Sequence, residues 1–131
     1  SDDNTIKIWN LTTSECKRTL RGHTWFVQSL TINKENQLIS GSADKTIKIW
    51  NMETGEVKRT LTGHNATINA LLTNNDNELI SGSGDLMIKI WNMTTGEEKR
   101  SLIGHSDGIW SLIINQNNEL IAGSRGEIFI W

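Results

Sequence analysis

The sequence predicts an all-β protein, built from antiparallel four-stranded units set side by side. Three observations carry this. A pattern recurs every 41 residues or so. Within it, short runs rich in Ile, Leu, Val and Thr are separated by turn residues. No stretch shows helical periodicity.

The repeat is marked by Gly22-His23, Gly63-His64 and Gly104-His105. Trp9, Trp50 and Trp91 keep the same step, and Trp131 falls one residue short of it. Aligning residues 22–62 with 63–103 gives about 23 identities, and the period suits a four-stranded propeller blade. The chain divides into 1–21, two strands of a split blade; 22–62 and 63–103, full repeats; and 104–131, a truncated repeat.

Each strand of the first full unit has its own signal. Val27 to Asn33 is a β-rich run closed by the turn Asn33-Lys34-Glu35-Asn36. Gln37 to Ser42 is a second strand, and Ala43-Asp44-Lys45 a tight turn. Thr46 to Trp50 alternates, with Ile47 and Ile49 on one side and Thr46, Lys48 and Trp50 on the other. Asn51 to Gly55 forms the next turn, the glycine supplying a backbone angle other residues resist. Glu56 to Leu61 carries the charges, as expected of an outermost strand facing water. Charged pairs such as Lys58-Arg59 and Lys99-Arg100 blunt that edge against other chains.

Composition narrows the function. With 131 residues and a net charge of −2, the chain exerts no long-range pull on nucleic acid or anionic membrane. No apolar run reaches the roughly 18 residues of a membrane helix. Cys16 is the single cysteine, so an internal disulfide is impossible; with no signal peptide in view, an intracellular, cytoplasmic setting is expected. Asn10, Asn65 and Asn92 head sequons that matter only in a secreted protein. Three histidines one repeat apart do not converge as metal ligands, and Gly82-Ser83-Gly84 lacks the lysine of a phosphate loop. No catalytic residue, cofactor or small-molecule substrate is expected.

The Gly-His pair, the Ser-Gly-Ser-x-Asp turn and the Trp closing the third strand resemble the WD-repeat propeller family over essentially the whole chain. The second letter of the family's Trp-Asp pair is here Asn10, Asn51 or Asn92, which still suits a turn. The resemblance implies a buried network of His23, Ser40, Asp44 and Trp50, with Ser40 rather than Ser42 as the partner. A second set is His64, Ser81, Asp85 and Trp91. In the third repeat Ser124-Arg125-Gly126-Glu127 stands where Ser-x-Asp was, so His105 lacks an Asp and that blade is expected to be the least rigid.

The resemblance also places the loop after Gly-His and the Asp turn on one rim, where function commonly sits. There the repeats diverge. Candidate partner-binding residues are Trp25, Phe26, Gln28, Thr67, Asn69, Asp107, Trp110 and Arg125. The aromatic pair Trp25-Phe26 is the sharpest, because large aromatics anchor interfaces. Arg18, Arg59 and Arg100 recur as a stripe, read as a solvated face or a contact for an acidic partner or RNA.

A non-catalytic scaffold binding a protein or peptide is therefore expected, the rival being purely architectural blades with the binding site elsewhere. The N-terminal pair could complete the last repeat, giving about three blades, fewer than the four to eight that close a ring. Either the chain is a piece of a longer propeller, or copies associate to close it.

Overall fold

The computed structural model describes residues 3–131, where every regular element is a β-strand. β1 (Ile6–Trp9) and β2 (Cys16–Leu20) pair with each other. β3 (Val27–Ile32), β4 (Leu38–Ser42), β5 (Ile47–Trp50) and β6 (Val57–Leu61) form the first full blade. β7 (Ile68–Thr73), β8 (Glu78–Ser83), β9 (Met87–Asn92) and β10 (Glu98–Ile103) form the second. β11 (Ile109–Ile114), β12 (Leu120–Ser124) and β13 (Glu127–Ile130) form a three-stranded sheet. All pairings are antiparallel, and the strands of the first full blade begin and end within a residue of the sequence expectation.

The core lies between sheets. Ile6, Leu20, Leu38 and Trp50 fill the first junction. Ile47, Ile49, Ile68, Leu79 and Trp91 fill the second, and Ile88, Ile90, Ile109, Leu112 and Leu120 the third. Each third-strand isoleucine pair thus buries against the next sheet, which explains why strands in the middle of the row are covered on both faces. Trp50 lies on the opposite side from Ile47 and Ile49, as the alternation predicts, and is buried there because the preceding sheet covers it. Ile109 sits where a side chain on Gly82 would clash, its Cγ2 only 2.4 Å from an added Cβ. That close approach needs glycine in the second strand.

The N-terminal pair does not join the last sheet. β1–β2 remains a separate sheet, and among the described residues β13 has no strand partner on its outer edge. By register β1 and β13 are both third strands, so the two pieces together would hold one strand too many for a four-stranded blade. The ends of the row are apolar: Ile128 and Ile130 are 76% and 65% exposed, whereas their counterparts Ile88 and Ile90 are 0% and 6%.

Candidate partner-binding rim

Each full blade is pinned at one rim by a directional hydrogen-bond relay. The Trp50 indole N–H donates to Ser40 Oγ at 2.8 Å. The Ser40 hydroxyl lies 2.6 Å from His23 Nε2, and His23 Nδ1 lies 2.7 Å from Asp44 Oδ2. A carboxylate can only accept, so Nδ1 carries the proton and Nε2 accepts from the serine. The same Asp44 carboxylate accepts from the Thr24 and Thr46 backbone N–H groups and from the Thr46 hydroxyl. Blade two repeats this through Trp91, Ser81, His64 and Asp85 with nearly identical distances. Both networks implied by the family resemblance are present, with Ser40 and Ser81 as the partners.

Burial, the largest effect, lowers the pKa of His23 and His64, against the opposing pull of Asp44 and Asp85. Burial alone would raise the two aspartates. Hydrogen bonds from Thr46, His23 and Thr24 outweigh it at Asp44, and those from Asn65, His64 and Met87 at Asp85, so both sit below the ordinary carboxyl range. A neutral imidazole donating from Nδ1 to a carboxylate is therefore the favoured form in both blades.

The two serines of each Ser-Gly-Ser run divide the work. Ser42 Oγ donates toward the Trp25 and Phe26 carbonyls and accepts from Asp44 N–H. Ser83 does the same on the Ala66 carbonyl and Asp85 N–H. These second serines clamp the rim loop; recurrence of both serines in the repeat was the available signal.

Blade three has lost the relay more completely than the missing Asp foretold. Ala122 holds the position of Ser40 and Ser81, a change sequence reasoning overlooked although the aligned repeats display it. Phe129 replaces Lys48 and Lys89 and meets His105 edge-on, with ring centroids 4.4 Å apart. Both His105 nitrogens and Ser124 Oγ are buried without a hydrogen-bond partner among the described residues. Glu127 Oε2 reaches the Ser106 N–H at 3.4 Å, a weak stand-in for Asp44 or Asp85.

The predicted rim residues fall into two groups. Trp25 is 58% exposed and packs edge-to-face on half-buried Phe26, centroids 5.7 Å apart. Trp110 is 57% exposed, and Gln28 and Arg125 face solvent. Asn69 and Thr67 instead serve the scaffold. The Asn69 amide donates to the Ile109 carbonyl of the next sheet at 2.9 Å, and the Thr67 carbonyl accepts from Gly84 N–H. Asp107 accepts from Gly108 N–H.

Two members of the arginine stripe, Arg18 and Arg59, are tied into the scaffold. Arg18 Nη1 donates to the Thr54 carbonyl, and Arg59 donates to the Thr94 and Thr95 carbonyls, each on the following blade's turn. Among the described residues no group of three His, Cys, Asp or Glu could hold a metal, and no helix is long and apolar enough to cross a membrane.

Comparison with known proteins agrees with this geometry. A family model described as "WD domain, G-beta repeat" matches residues 14–51, 55–92 and 96–131. The chain is 32% identical to the computationally designed Ika4 protein, with a TM-score of 0.87, covering all of this chain and 81% of that one. It is 29% identical to the WD40 β-propeller domain of Doa1, with a TM-score of 0.91, covering 99% of this chain and 44% of that one. Over 41 residues it is 51% identical to an uncharacterised WD repeat-containing protein of Schizosaccharomyces pombe; that match takes in 30% of this chain and 11% of the relative's length.

Proposed function

The chain belongs to the WD-repeat family, and from that premise we propose that it binds a protein or peptide partner through its rim, without catalysis. Members of this family generally serve as interaction scaffolds. The observation that carries the reading is Trp25. Its ring is largely in solvent, yet its backbone carbonyl is clamped by Ser42 and its indole rests on Phe26. A large aromatic held in place loses little freedom on binding, which favours it as an anchor. Gln28, Trp110 and Arg125 extend the surface. Asn69, Thr67 and Asp107 would contribute through the loop positions they hold.

The test compares partner capture by the native chain and by Trp25→Ala/Phe26→Ala of matched melting temperature. Loss of a defined partner supports rim binding. Undiminished capture favours the architectural alternative, with the contact elsewhere.

Self-association is a second reading, favoured by the exposed Ile128 and Ile130 at one end and Leu30 at the other. Sedimentation equilibrium distinguishes a discrete dimer, which supports it, from a monomer, which does not. The one thiol, exposed Cys16, suits a reducing, intracellular setting, which imaging of a fluorescent fusion would check. A net charge of −2 supports a partner that is neither nucleic acid nor membrane.

A further inference from the structure

The third blade retains the donors of the aspartate site but not the aspartate. Aligned by strand pairing, Ser42-Ala43-Asp44-Lys45-Thr46 matches Ser124-Arg125-Gly126-Glu127 with the Asp removed, since Gly41 pairs Ile47 and Gly123 pairs Ile128. Gly126 then takes the place of Lys45 and Leu86, and all three have positive φ. In blades one and two the carboxylate satisfies the histidine Nδ1 and the next backbone N–H. In blade three His105 is 94% buried, with neither ring nitrogen partnered among the described residues, and Ser124 Oγ is orphaned beside the same turn. The turn is open, with nothing within 4 Å of a Cβ built on Gly126. Arg125 faces solvent and enters none of the ion pairs among the described residues.

We infer that this turn is a carboxylate-binding site, taking an acidic side chain or a C-terminal carboxylate of the partner protein in the position that Asp44 and Asp85 hold in the other blades. The inference rests on the rim reading. The guest oxygen accepts from His105 Nδ1–H and Ser106 N–H, and Arg125 supplies the charge at the mouth. Two acidic groups oppose it. Asp107 is engaged with Gly108 N–H, while Glu127 is held only by its 3.4 Å bond to Ser106 and gives way to the guest. Buried charge-assisted hydrogen bonds of this kind are the strong ones.

The experiment titrates the chain, followed by amide and imidazole NMR, with three glycine-rich peptides, the first two blocked at both ends and the third at its N-terminus only. One carries a central Asp, one a central Asn, and one a free C-terminal carboxylate. Saturable shifts at Ser106 and His105 with a carboxylate peptide but not with the Asn peptide are expected. The carboxylate arm that saturates identifies the source. Arg125→Ala should weaken binding about tenfold, and Glu127→Gln should strengthen it by up to about fivefold. Inserting one aspartate between Arg125 and Gly126 should abolish it by filling the site from within. Equal shifts with the Asn peptide, no saturable shift, or binding indifferent to both Arg125→Ala and the insertion would overturn the inference. Failure here with partner capture still lost in Trp25→Ala/Phe26→Ala would reject the carboxylate site and leave rim binding standing.

Discussion

The side chain of Arg59 lies across Gly96 of the following blade, its Cδ and Nη1 each 2.7 Å from where a Cβ would stand. Gly96 has φ +76°, and the arginine's guanidinium donates to the Thr94 and Thr95 carbonyls, the two residues just before it in that turn. The turn glycine therefore does two things: it permits a left-handed backbone, and it leaves room for the preceding blade's arginine.

Gly96→Ala should cost about 1–2 kcal/mol from backbone strain alone, with further loss as Arg59 is displaced. Gly126→Ala carries comparable strain at φ +91° but meets open space. Urea denaturation should show the larger loss at Gly96. Equal losses would mean that Arg59 simply moves aside at no cost.

Ser40 joins two buried groups, so Ser40→Ala should cost more than an ordinary hydrogen bond. It strands Trp50 Nε1 and His23 Nε2 together, about 2–6 kcal/mol at 1–3 per orphaned group. Blade three already carries the alanine, and Ala122→Ser should raise stability by about 1 kcal/mol by giving His105 an acceptor or donor. Denaturant midpoints of the two variants check both signs.

Acid should destabilise the protein in two steps. His23 and His64 have pKa values below the ordinary 6.5, so the unfolded chain takes up their protons first. Their contribution is complete above about pH 6.5 and is lost as pH falls from there toward the lowered folded values. Asp44 and Asp85, also lowered, contribute above the ordinary carboxyl range and are lost as pH falls through their folded values. Melting temperature should begin to decline as pH falls below about 6.5 and decline further below the ordinary carboxyl range, and His23→Gln should flatten the onset.

The rim loop of blade three should open more readily than the others. Thr24 and Asn65 N–H are held by aspartate at 3.0 and 2.9 Å, while Ser106 N–H has only the 3.4 Å contact to Glu127. Faster hydrogen exchange at Ser106 than at Thr24 and Asn65 is the expected result. Matched rates would show that the serine and aspartate clamps do not control loop opening.

The strands, the turns and both intact networks were legible in the sequence because each rests on local chemistry repeated at a fixed step. Alternation marks a strand, Gly55 and Gly96 mark turns, and a histidine at one end with Ser-Gly-Ser-x-Asp at the other marks the relay. The defect at Asp was legible too, and so was Ala122 once the repeats are aligned. Exposure of Trp25 was only an expectation from loop position.

By itself, then, the sequence determined the all-β class, the blade period and which residues share a relay, since those follow from side-chain periodicity and hydrogen-bonding type. Only the tertiary structure decided the uses of residues that look alike in sequence. Asn69 ties two sheets together while Trp110 stands in solvent; Arg18 and Arg59 cap the next blade's turn; Ile88 is buried while Ile128 is not. The physical reason is that these roles depend on what the neighbouring sheet places opposite each side chain, and that contact spans about 40 residues, beyond the reach of any local pattern.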